Sequence, residues 1–274
     1  MAPATILELR MEKATFLKNV LEVLIRGGLF SKANFEFSRT DLELQAMDTS
    51  GFALVVLQLR SEAFDHYIYN NDDLSVGLNL ADMAGFSASP TTTTSSPSRP
   101  RTGSRPLSSR SSRPYFNLNF VGVNDVPLDI PEYQEFEYQA IIRMPSAEFM
   151  HFYNELSSFN GDIETAAVCV SVDKDNVRFF NYGILGSSRI VCQLIQTADK
   201  SKEATDIEVE MKENVSLTFV LRYMSSLCKA STLSDQVTIK LSSKLPVVFE
   251  YNIAKMGYIR YYVMAAEVSP PSIA

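Results

Sequence analysis

Two β-strands joined by a tight turn are predicted by residues 42–67, LELQAMDTSGFALVVLQLRSEAFDHY. Apolar residues recur here at every second position, the period of a strand with one buried face. The turn falls at Asp48–Gly51, where glycine permits backbone angles that branched residues resist. The residues predicted to face the core are Leu42, Leu44, Ala46, Ala53, Val55, Leu57 and Leu59.

Length and composition indicate a globular protein with a substantial core. The chain has 274 residues, enough for one large domain or two of ordinary size, and 46% of them are hydrophobic. No window resembles a membrane span, and the N-terminal MAPATILELR lacks the basic and apolar regions of a signal peptide. The net charge of −7 argues against a simple basic DNA-binding module, although the local field of a groove or channel can still attract DNA.

The cysteines and histidines predict neither a disulfide framework nor a metal centre. The three cysteines, Cys169, Cys192 and Cys228, have spacings that suit no zinc site, and an odd number without a secretory signal indicates reduced thiols. We interpret them as small buried hydrophobic residues. His66 and His151 are too few and too far apart to hold a metal, and we expect no cofactor.

The chain divides near residues 121–133 into two halves that follow a similar α+β plan. The predicted N-terminal domain covers residues 1–120, a connector covers 121–133, and the C-terminal domain covers 134–274. Each half begins with a short strand and an amphipathic helix, continues with a strand pair and then has a second helix, which is the pattern of an internal duplication. The predicted helices are Lys13–Arg26, Leu80–Phe86, Ser146–Phe159 and Val215–Ala230; the predicted strands lie in Ile6–Arg10, Phe35–Leu59, Gln139–Arg143, Ala166–Leu194, Gln236–Ser242, Val247–Ile253 and Gly257–Ala265.

One segment, Ser87–Pro114, belongs to neither half's plan. It has no acidic residue and almost no apolar one, and it repeats Ser, Pro, Thr and Arg, a composition typical of disordered chains. Three interpretations remain open: a solvated linker, a basic arm that binds nucleic acid, or a reading-frame slip of one base that hides a core strand. Sequencing the genomic DNA or the transcript across the segment decides between them. The arginines of the basic-arm interpretation are Arg99, Arg101, Arg105, Arg110 and Arg113.

At 100° per residue, the first, third and last predicted helices each have an apolar face and a polar face. The polar faces are either ordinary solvated surfaces or nucleic-acid contacts, and the residues alone do not decide between these. The side chains predicted to face outward are Thr15, Lys18, Asn19, Glu22 and Arg26 in the first helix, His151, Asn154 and Ser158 in the third, and Thr218, Arg222, Ser225, Ser226 and Lys229 in the last.

Several motifs resemble those of the proliferating cell nuclear antigen family of eukaryotic sliding clamps. The turn residues Gln45, Met47, Asp48 and Ser50, followed by Phe64-Asp65-x-Tyr67, are similar to the family's first domain, and Leu128-Asp129-Ile130-Pro131 is similar to its Leu-Gly-Ile-Pro connector. Further similar segments are Met144–Phe149, Leu217–Tyr223, Leu245–Tyr251 and Met256–Tyr262. The resemblance spans nearly the whole chain outside Ser87–Pro114. It implies a DNA-clamp fold of two similar domains, with helices lining the inside and β-sheets forming the outside of a ring.

The resemblance implies that the inward helices contact the phosphates of double-stranded DNA without sequence preference. The implied DNA-binding residues are Lys18, Arg26, His151, Arg222 and Lys229. Other positions depart from the family pattern, since Asn154 and Ser158 stand where Arg and His are usual and Gly85 stands where Lys is usual.

The resemblance also implies a hydrophobic pocket for partner peptides that carry a glutamine, an aliphatic residue and paired aromatics. Gly51 replaces a usual His beside this pocket, and Met264-Ala265-Ala266 replaces Ala-Pro-Lys. Lys174 matches a lysine that receives ubiquitin in many relatives, and Gly186–Ile190 and Tyr115–Phe120 match the edges through which subunits pair. The implied pocket residues are Met47, Leu54, Leu128, Ile130, Pro246, Tyr262, Met264 and Ala265.

The function that the resemblance implies is that of a nuclear, non-enzymatic processivity factor. Three copies would form a head-to-tail homotrimer, loaded by an ATPase, that tethers DNA polymerase and other replication and repair proteins to duplex DNA. The sequence shows no phosphate-binding glycine loop, metal-ligand cluster or nucleophile elbow that would indicate an enzyme. Two alternatives remain: a subunit of a heterotrimeric checkpoint clamp, and a non-productive variant in which Ser87–Pro114 prevents ring closure.

Overall fold

The computed structural model describes residues 7–10, 14–26, 28–69, 74–80, 137–158, 166–183, 186–194 and 207–266. In these ranges the chain is mostly β-sheet with three α-helices. The first half contains β1 Leu7–Arg10, α1 Ala14–Arg26, β2 Lys32–Phe37, β3 Asp41–Met47, β4 Ala53–Arg60, β5 His66–Tyr69 and β6 Leu74–Asn79. The second half contains β7 Ala140–Pro145, α2 Ser146–Ser158, β8 Ala167–Val172, β9 Asn176–Gly183, β10 Gly186–Gln193, β11 Glu208–Met211, β12 Val215–Val220, α3 Leu221–Lys229, β13 Gln236–Leu241, β14 Val247–Ile253 and β15 Gly257–Val263.

The strand pair predicted from residues 42–67 is confirmed. Strands β3 and β4 run antiparallel, with Leu44 opposite Leu57 and Met47 opposite Leu54, and every residue predicted to face the core is buried. The turn between them closes through a hydrogen bond from the Asp48 amide to the Ala53 carbonyl at 2.9 Å. Gly51 has a φ of +74°, a backbone conformation that explains the glycine.

The strand order of the first half is repeated in the second half. In the first, β2, β3 and β4 form a meander, β6 pairs with β2, and β5 returns to pair with β1. In the second, β8, β9 and β10 form the meander, β12 pairs with β8, and β11 returns to pair with β7. The two halves therefore share one topology, as the duplication pattern predicted, while the exact domain boundaries stay predictions.

A nine-stranded sheet joins the two halves, in the order β11-β7-β13-β14-β15-β4-β3-β2-β6. The junction is the antiparallel pair of β15 and β4, in which Gly257 lies opposite Leu59 and Tyr262 opposite Leu54. Because strands from both halves share this hydrogen-bonded sheet, the junction is built into the backbone and does not depend on side chains alone. A second sheet has the order β10-β9-β8-β12, and a third pairs β1 with β5.

The core fills the space between the helices and the sheets of both halves. Helix α3 packs against both α1 and α2, and the buried phenylalanines of α2 meet those of the sheets. The ring centroids of Phe149 and Phe249 are 5.7 Å apart, and those of Phe152 and Phe179 are 5.3 Å apart. None of the helices in the described ranges is long and apolar enough to cross a membrane.

The interpretation of the cysteines as small buried residues is confirmed. Cys169, Cys192 and Cys228 are free and buried. Burial, with a smaller contribution from the charge of Glu148, raises the pKa of Cys192 to about 11. Burial likewise raises the pKa of Cys228. Both thiols therefore stay protonated near neutral pH, as expected of packing residues.

Three predictions need correction. Residues 215–220 are not the start of a helix but form strand β12, which pairs along β8, and α3 begins only at Leu221. Thr218 and Ser226, predicted to face outward, are buried, with 8% and 1% of their surface exposed. The segments 35–59 and 166–194 each hold residues of three strands where a strand pair was predicted. The helix predicted at Leu80–Phe86, the segment Ser87–Pro114 and the connector 121–133 lie outside the described residues, apart from Leu80 itself.

Candidate functional site

A row of apolar side chains crosses the nine-stranded sheet on the face turned away from the core. Met47 on β3 lies opposite Leu54 on β4, Leu54 lies opposite Tyr262 on β15, and Tyr262 lies opposite Val248 on β14. Leu54 and Val248 are 4% and 2% exposed, whereas Met47 and Tyr262 are half-buried. The structure thus brings three of the predicted pocket residues into direct cross-strand contact.

A second apolar row lies beside the first, two residues further along each strand. Phe52 precedes β4 and Met264 follows β15, and the Met264 amide donates a hydrogen bond to the Phe52 carbonyl at 2.9 Å. Their side chains are 52% and 42% exposed, which is unusual for large apolar residues. The buried Pro246, just before β14, is two residues from Val248 and extends this row. We name the two rows together the apolar face, composed of Met47, Phe52, Leu54, Pro246, Val248, Tyr262 and Met264.

The predicted pocket residues did not include Phe52, which follows Gly51 directly and lies just before β4. Ala265, a predicted pocket residue, is half-buried and packs against the core cluster, so we leave it out of the apolar face. Its role in a pocket stays a prediction. Leu128 and Ile130, the connector residues of the predicted pocket, lie outside the described residues.

A cluster of three charged side chains lies on the same face, next to the apolar face. Oε2 of Glu250 is 2.6 Å from Nε of Arg260 and 3.1 Å from Nζ of Lys240. Burial alone would raise the pKa of Glu250, but the charges of Arg260 and Lys240 hold this pKa below its ordinary value. The Arg260 guanidinium also stacks over Tyr258, 4.0 Å from the ring centroid. Glu250 therefore stays ionised at neutral pH.

Asp48 connects the turn that carries Met47 and Leu54 to helix α3 of the other half. Its side chain is 3% exposed and accepts a hydrogen bond from the Ala53 amide at 2.7 Å and a short one from the Ser50 hydroxyl. The Tyr223 hydroxyl donates to the same carboxylate at 3.4 Å, and the Arg222 guanidinium lies 3.7 Å from it. Arg222 also donates to the Tyr223 hydroxyl at 2.8 Å. The apolar face and the helix are thus linked through one buried carboxylate.

The predicted DNA-binding residues lie on the three helices. Lys18 and Arg26 belong to α1, and Arg222 and Lys229 belong to α3. Asn19 and Glu22 of α1 line a groove with Lys229, about 240 Å³ in volume, so these two helices present adjoining surfaces. The Arg222 guanidinium is one-third exposed and shares its charge with Asp48, which weakens its attraction for a phosphate.

The exposed residues of helix α2 include no lysine or arginine. His151 is exposed, and its Nε2 lies 3.2 Å from the Glu155 carboxylate one turn further along. Asn154 and Ser158 are also exposed, as predicted, and Met150 is 39% exposed. Among the described side chains, the lysine and arginine of the helices are Arg222 and Lys229 of α3, while the side chains of Lys18 and Arg26 on α1 lie outside the described part of the chain.

Strand β10 forms an edge of the four-stranded sheet in the described part of the chain. It is hydrogen-bonded to β9 along its whole length from Gly186 to Gln193, and the sheet order ends there. In the repeated topology of the two halves, β10 corresponds to β4. Strand β4 pairs with β3 on one side and with β15 on the other. Val191 and Arg189 are exposed along this edge. Lys174 is also exposed, at the turn between β8 and β9.

Two family models match the sequence. Residues 6–88 match the model described as proliferating cell nuclear antigen, N-terminal domain. Residues 130–266 match the model described as proliferating cell nuclear antigen, C-terminal domain. The two matched ranges follow the two structural repeats in chain order, and the nine-stranded sheet joins these repeats. The chain therefore belongs to the proliferating cell nuclear antigen family of DNA sliding clamps.

Proposed function

We propose that this chain is the subunit of a homotrimeric ring that encircles duplex DNA and holds replication enzymes on it. The observation that supports this best is the edge strand β10, whose counterpart β4 is covered by β15. A second copy can cover β10 with the counterpart of β15 from its own first half, which the sequence places at Tyr115–Phe120. Such a head-to-tail contact closes into a ring when the rotation between copies permits it.

Sedimentation equilibrium of the full chain tests the assembly. We expect a single species with the mass of three chains at micromolar concentrations. A monomer at every concentration would contradict the homotrimer, and a three-chain mass only after a different subunit is added would instead favour the checkpoint type of clamp.

In the proposed ring, cations of α1 and α3 face the DNA. Lys18, Arg26 and Lys229 would contact phosphates, with smaller contributions from Arg222, which Asp48 partly neutralises, and from His151. Contacts of this kind are independent of sequence and weaken as salt rises, which suits a protein that slides. An ATPase that opens the ring and a nuclear location are part of the same proposal, and no chemical step is assigned to the chain.

The apolar face is the proposed docking site for peptides of DNA polymerase and other partners. Phe52 and Met264 of this face are exposed beside the half-buried Met47 and Tyr262, and adjoining exposed apolar side chains mark interaction sites. Tyrosine at the centre of such a group is a common hot spot, because it offers a large contact area with one polar end. Lys174 remains a candidate acceptor of ubiquitin, supported by its exposure on a turn.

Replacing Met47 and Tyr262 together with Ala should weaken peptide binding by about a hundredfold, because two central side chains of the apolar face are lost. The probe is a fluorescent peptide with a glutamine, an aliphatic residue and paired aromatics, measured by anisotropy and, in parallel, by polymerase processivity on primed DNA. The control is Ile68→Ala on β5, an apolar residue that is 38% exposed but lies on another sheet. Equal binding by the double variant and the control would contradict this assignment.

A further inference from the structure

On the side of strand β13, the apolar face borders a group of charged side chains. Lys240 on β13 lies opposite Val248, which lies opposite Tyr262, so the three side chains follow one another across the sheet. Neighbouring strands are about 4.8 Å apart, which places the Lys240 backbone roughly 10 Å from that of Tyr262. We name Lys240, Glu250 and Arg260 the charged cluster.

The charged cluster carries one positive charge in excess. Glu250 supplies a single carboxylate to two cations, and the side chains of Lys240 and Arg260 are 24% and 25% exposed. Lys244, exposed on the turn between β13 and β14, adds another cation nearby. Glu210, two strands from Lys240 on the same face, is itself held by Arg143 at 2.6 Å. The excess of cations is therefore confined to Lys240, Arg260 and Lys244, on a chain whose net charge is −7, and Glu43 of β3, whose charge acts on Tyr258, borders it on the other side.

Partial burial makes this excess charge more effective than that of a fully exposed lysine. Water and salt screen the charge of a half-buried cation less than that of an exposed one. A carboxylate added beside the charged cluster therefore gains more interaction free energy than at an open surface. The carboxylate of a bound partner can accept a hydrogen bond from Nζ of Lys240 while Glu250 keeps its ion pair with Arg260. An anionic group bound beside the apolar face is the chemistry that this arrangement favours.

We propose that the charged cluster selects partner peptides with an acidic residue beside the apolar residues that dock. This inference rests on the proposed role of the apolar face as the peptide site. An extended peptide rises about 3.3 Å per residue, so the acidic residue would lie roughly three residues from the aromatic side chain that contacts Tyr262. Lys240 thereby acts as a specificity-determining residue, in addition to the apolar residues that give affinity.

The test compares two peptides with the glutamine, aliphatic and paired-aromatic pattern that differ at one position. One peptide has Asp three residues after the aromatic pair, and the other has Asn there. Both are titrated against the full chain, against Lys240→Gln, and against the control Lys212→Gln. Lys212 is 63% exposed and pairs with Glu137 at 3.2 Å near the end of β11, so its replacement removes the same charge elsewhere.

We expect the Asp peptide to bind the native chain roughly three- to tenfold more tightly than the Asn peptide. Lys240→Gln should remove this preference and leave the affinity for the Asn peptide unchanged, whereas Lys212→Gln should retain the preference. The preference should also shrink as salt rises from 50 to 500 mM.

Each of four results would overturn the inference. Equal affinities of the native chain for the two peptides, or a preference that survives Lys240→Gln, would exclude Lys240 as the selective residue. If Lys240→Gln instead weakens binding of duplex DNA and leaves both peptides unaffected, the cluster serves nucleic acid. If neither peptide binds the native chain at all, the proposed function of the apolar face fails as well, so the two failures are distinguishable.

Discussion

Gly257→Ala should destabilise the protein by about 3–5 kcal/mol, a loss large enough to threaten folding. A Cβ added at Gly257 would lie 1.8 Å from the carbonyl oxygen of Gln58 and 3.2 Å from Cα of Leu59. These are backbone atoms of β4, so no side chain can rotate to relieve the overlap. Gly257 also has a φ of +150°, which residues with a Cβ rarely adopt. The strand pair that joins the two halves of the chain would have to separate locally.

Urea unfolding monitored by circular dichroism measures this loss. The matched control is Gly28→Ala, because Gly28 has a φ of +66° but no atom within 4 Å of an added Cβ. The control should lose only about 1 kcal/mol through backbone strain. Equal losses in the two variants would show that the close contact of β15 with β4 does not hold the halves together.

Asp48→Ala should cost about 3–5 kcal/mol of stability and also weaken peptide binding at the apolar face. The carboxylate is almost completely buried, and its removal leaves the Arg222 guanidinium and the Tyr223 hydroxyl without their acidic partner. It also removes the 2.7 Å hydrogen bond that fixes the Ala53 amide. Since Met47 and Leu54 flank this turn, a more mobile turn would displace both side chains from the positions in which they contact a peptide.

The matched control for Asp48 is Asp173→Ala, another aspartate in a turn. Asp173 accepts hydrogen bonds from the amides of Asp175 and Asn176 at 2.9 Å and pairs with Arg178 at 2.6 Å. Its partners all lie within its own hairpin and its side chain is 25% exposed, so we expect a loss of about 1 kcal/mol and unchanged peptide affinity. Thermal unfolding together with peptide anisotropy separates the two variants. A loss no greater in Asp48→Ala than in Asp173→Ala would contradict the link between the turn and α3.

Local patterning predicted the strands well because one buried face imposes a period of two. The buried residues recur at every second position through β3 and β4, although Leu54 and Val56 on the other face of β4 are also apolar, and Asp48–Gly51 contains the residues that a turn requires. The helix prediction for residues 215–220, VSLTFV, was wrong although Val215, Leu217 and Phe219 alternate with polar residues there, because the segment runs directly into the apolar face of the helix that follows. Pairing with β8, a tertiary contact, decides in favour of the strand.

The candidate site was only partly predictable from the sequence. The apolar face was identified through family resemblance, because no local pattern shows that Met47, Tyr262 and Pro246 meet on one face. The contact of Asp48 with Arg222 joins residues far apart in the chain, so Arg222 appeared in the sequence as a cation on a helix surface. Ser226 was expected outside because a helix alone shows one apolar face, whereas α3 packs against two other helices.

The retention of the protein on circular DNA, compared with its retention on linear DNA, tests most directly whether it holds DNA by encircling it. The chain is loaded by a clamp-loader ATPase onto a nicked circular plasmid, separated from free protein by gel filtration in high salt, and the plasmid is then cut once with a restriction enzyme. We expect retention on the circle and loss within minutes after the cut, because a ring slides off a free end. Equal retention on the circular and the cut plasmid, or no retention on either, would contradict the account.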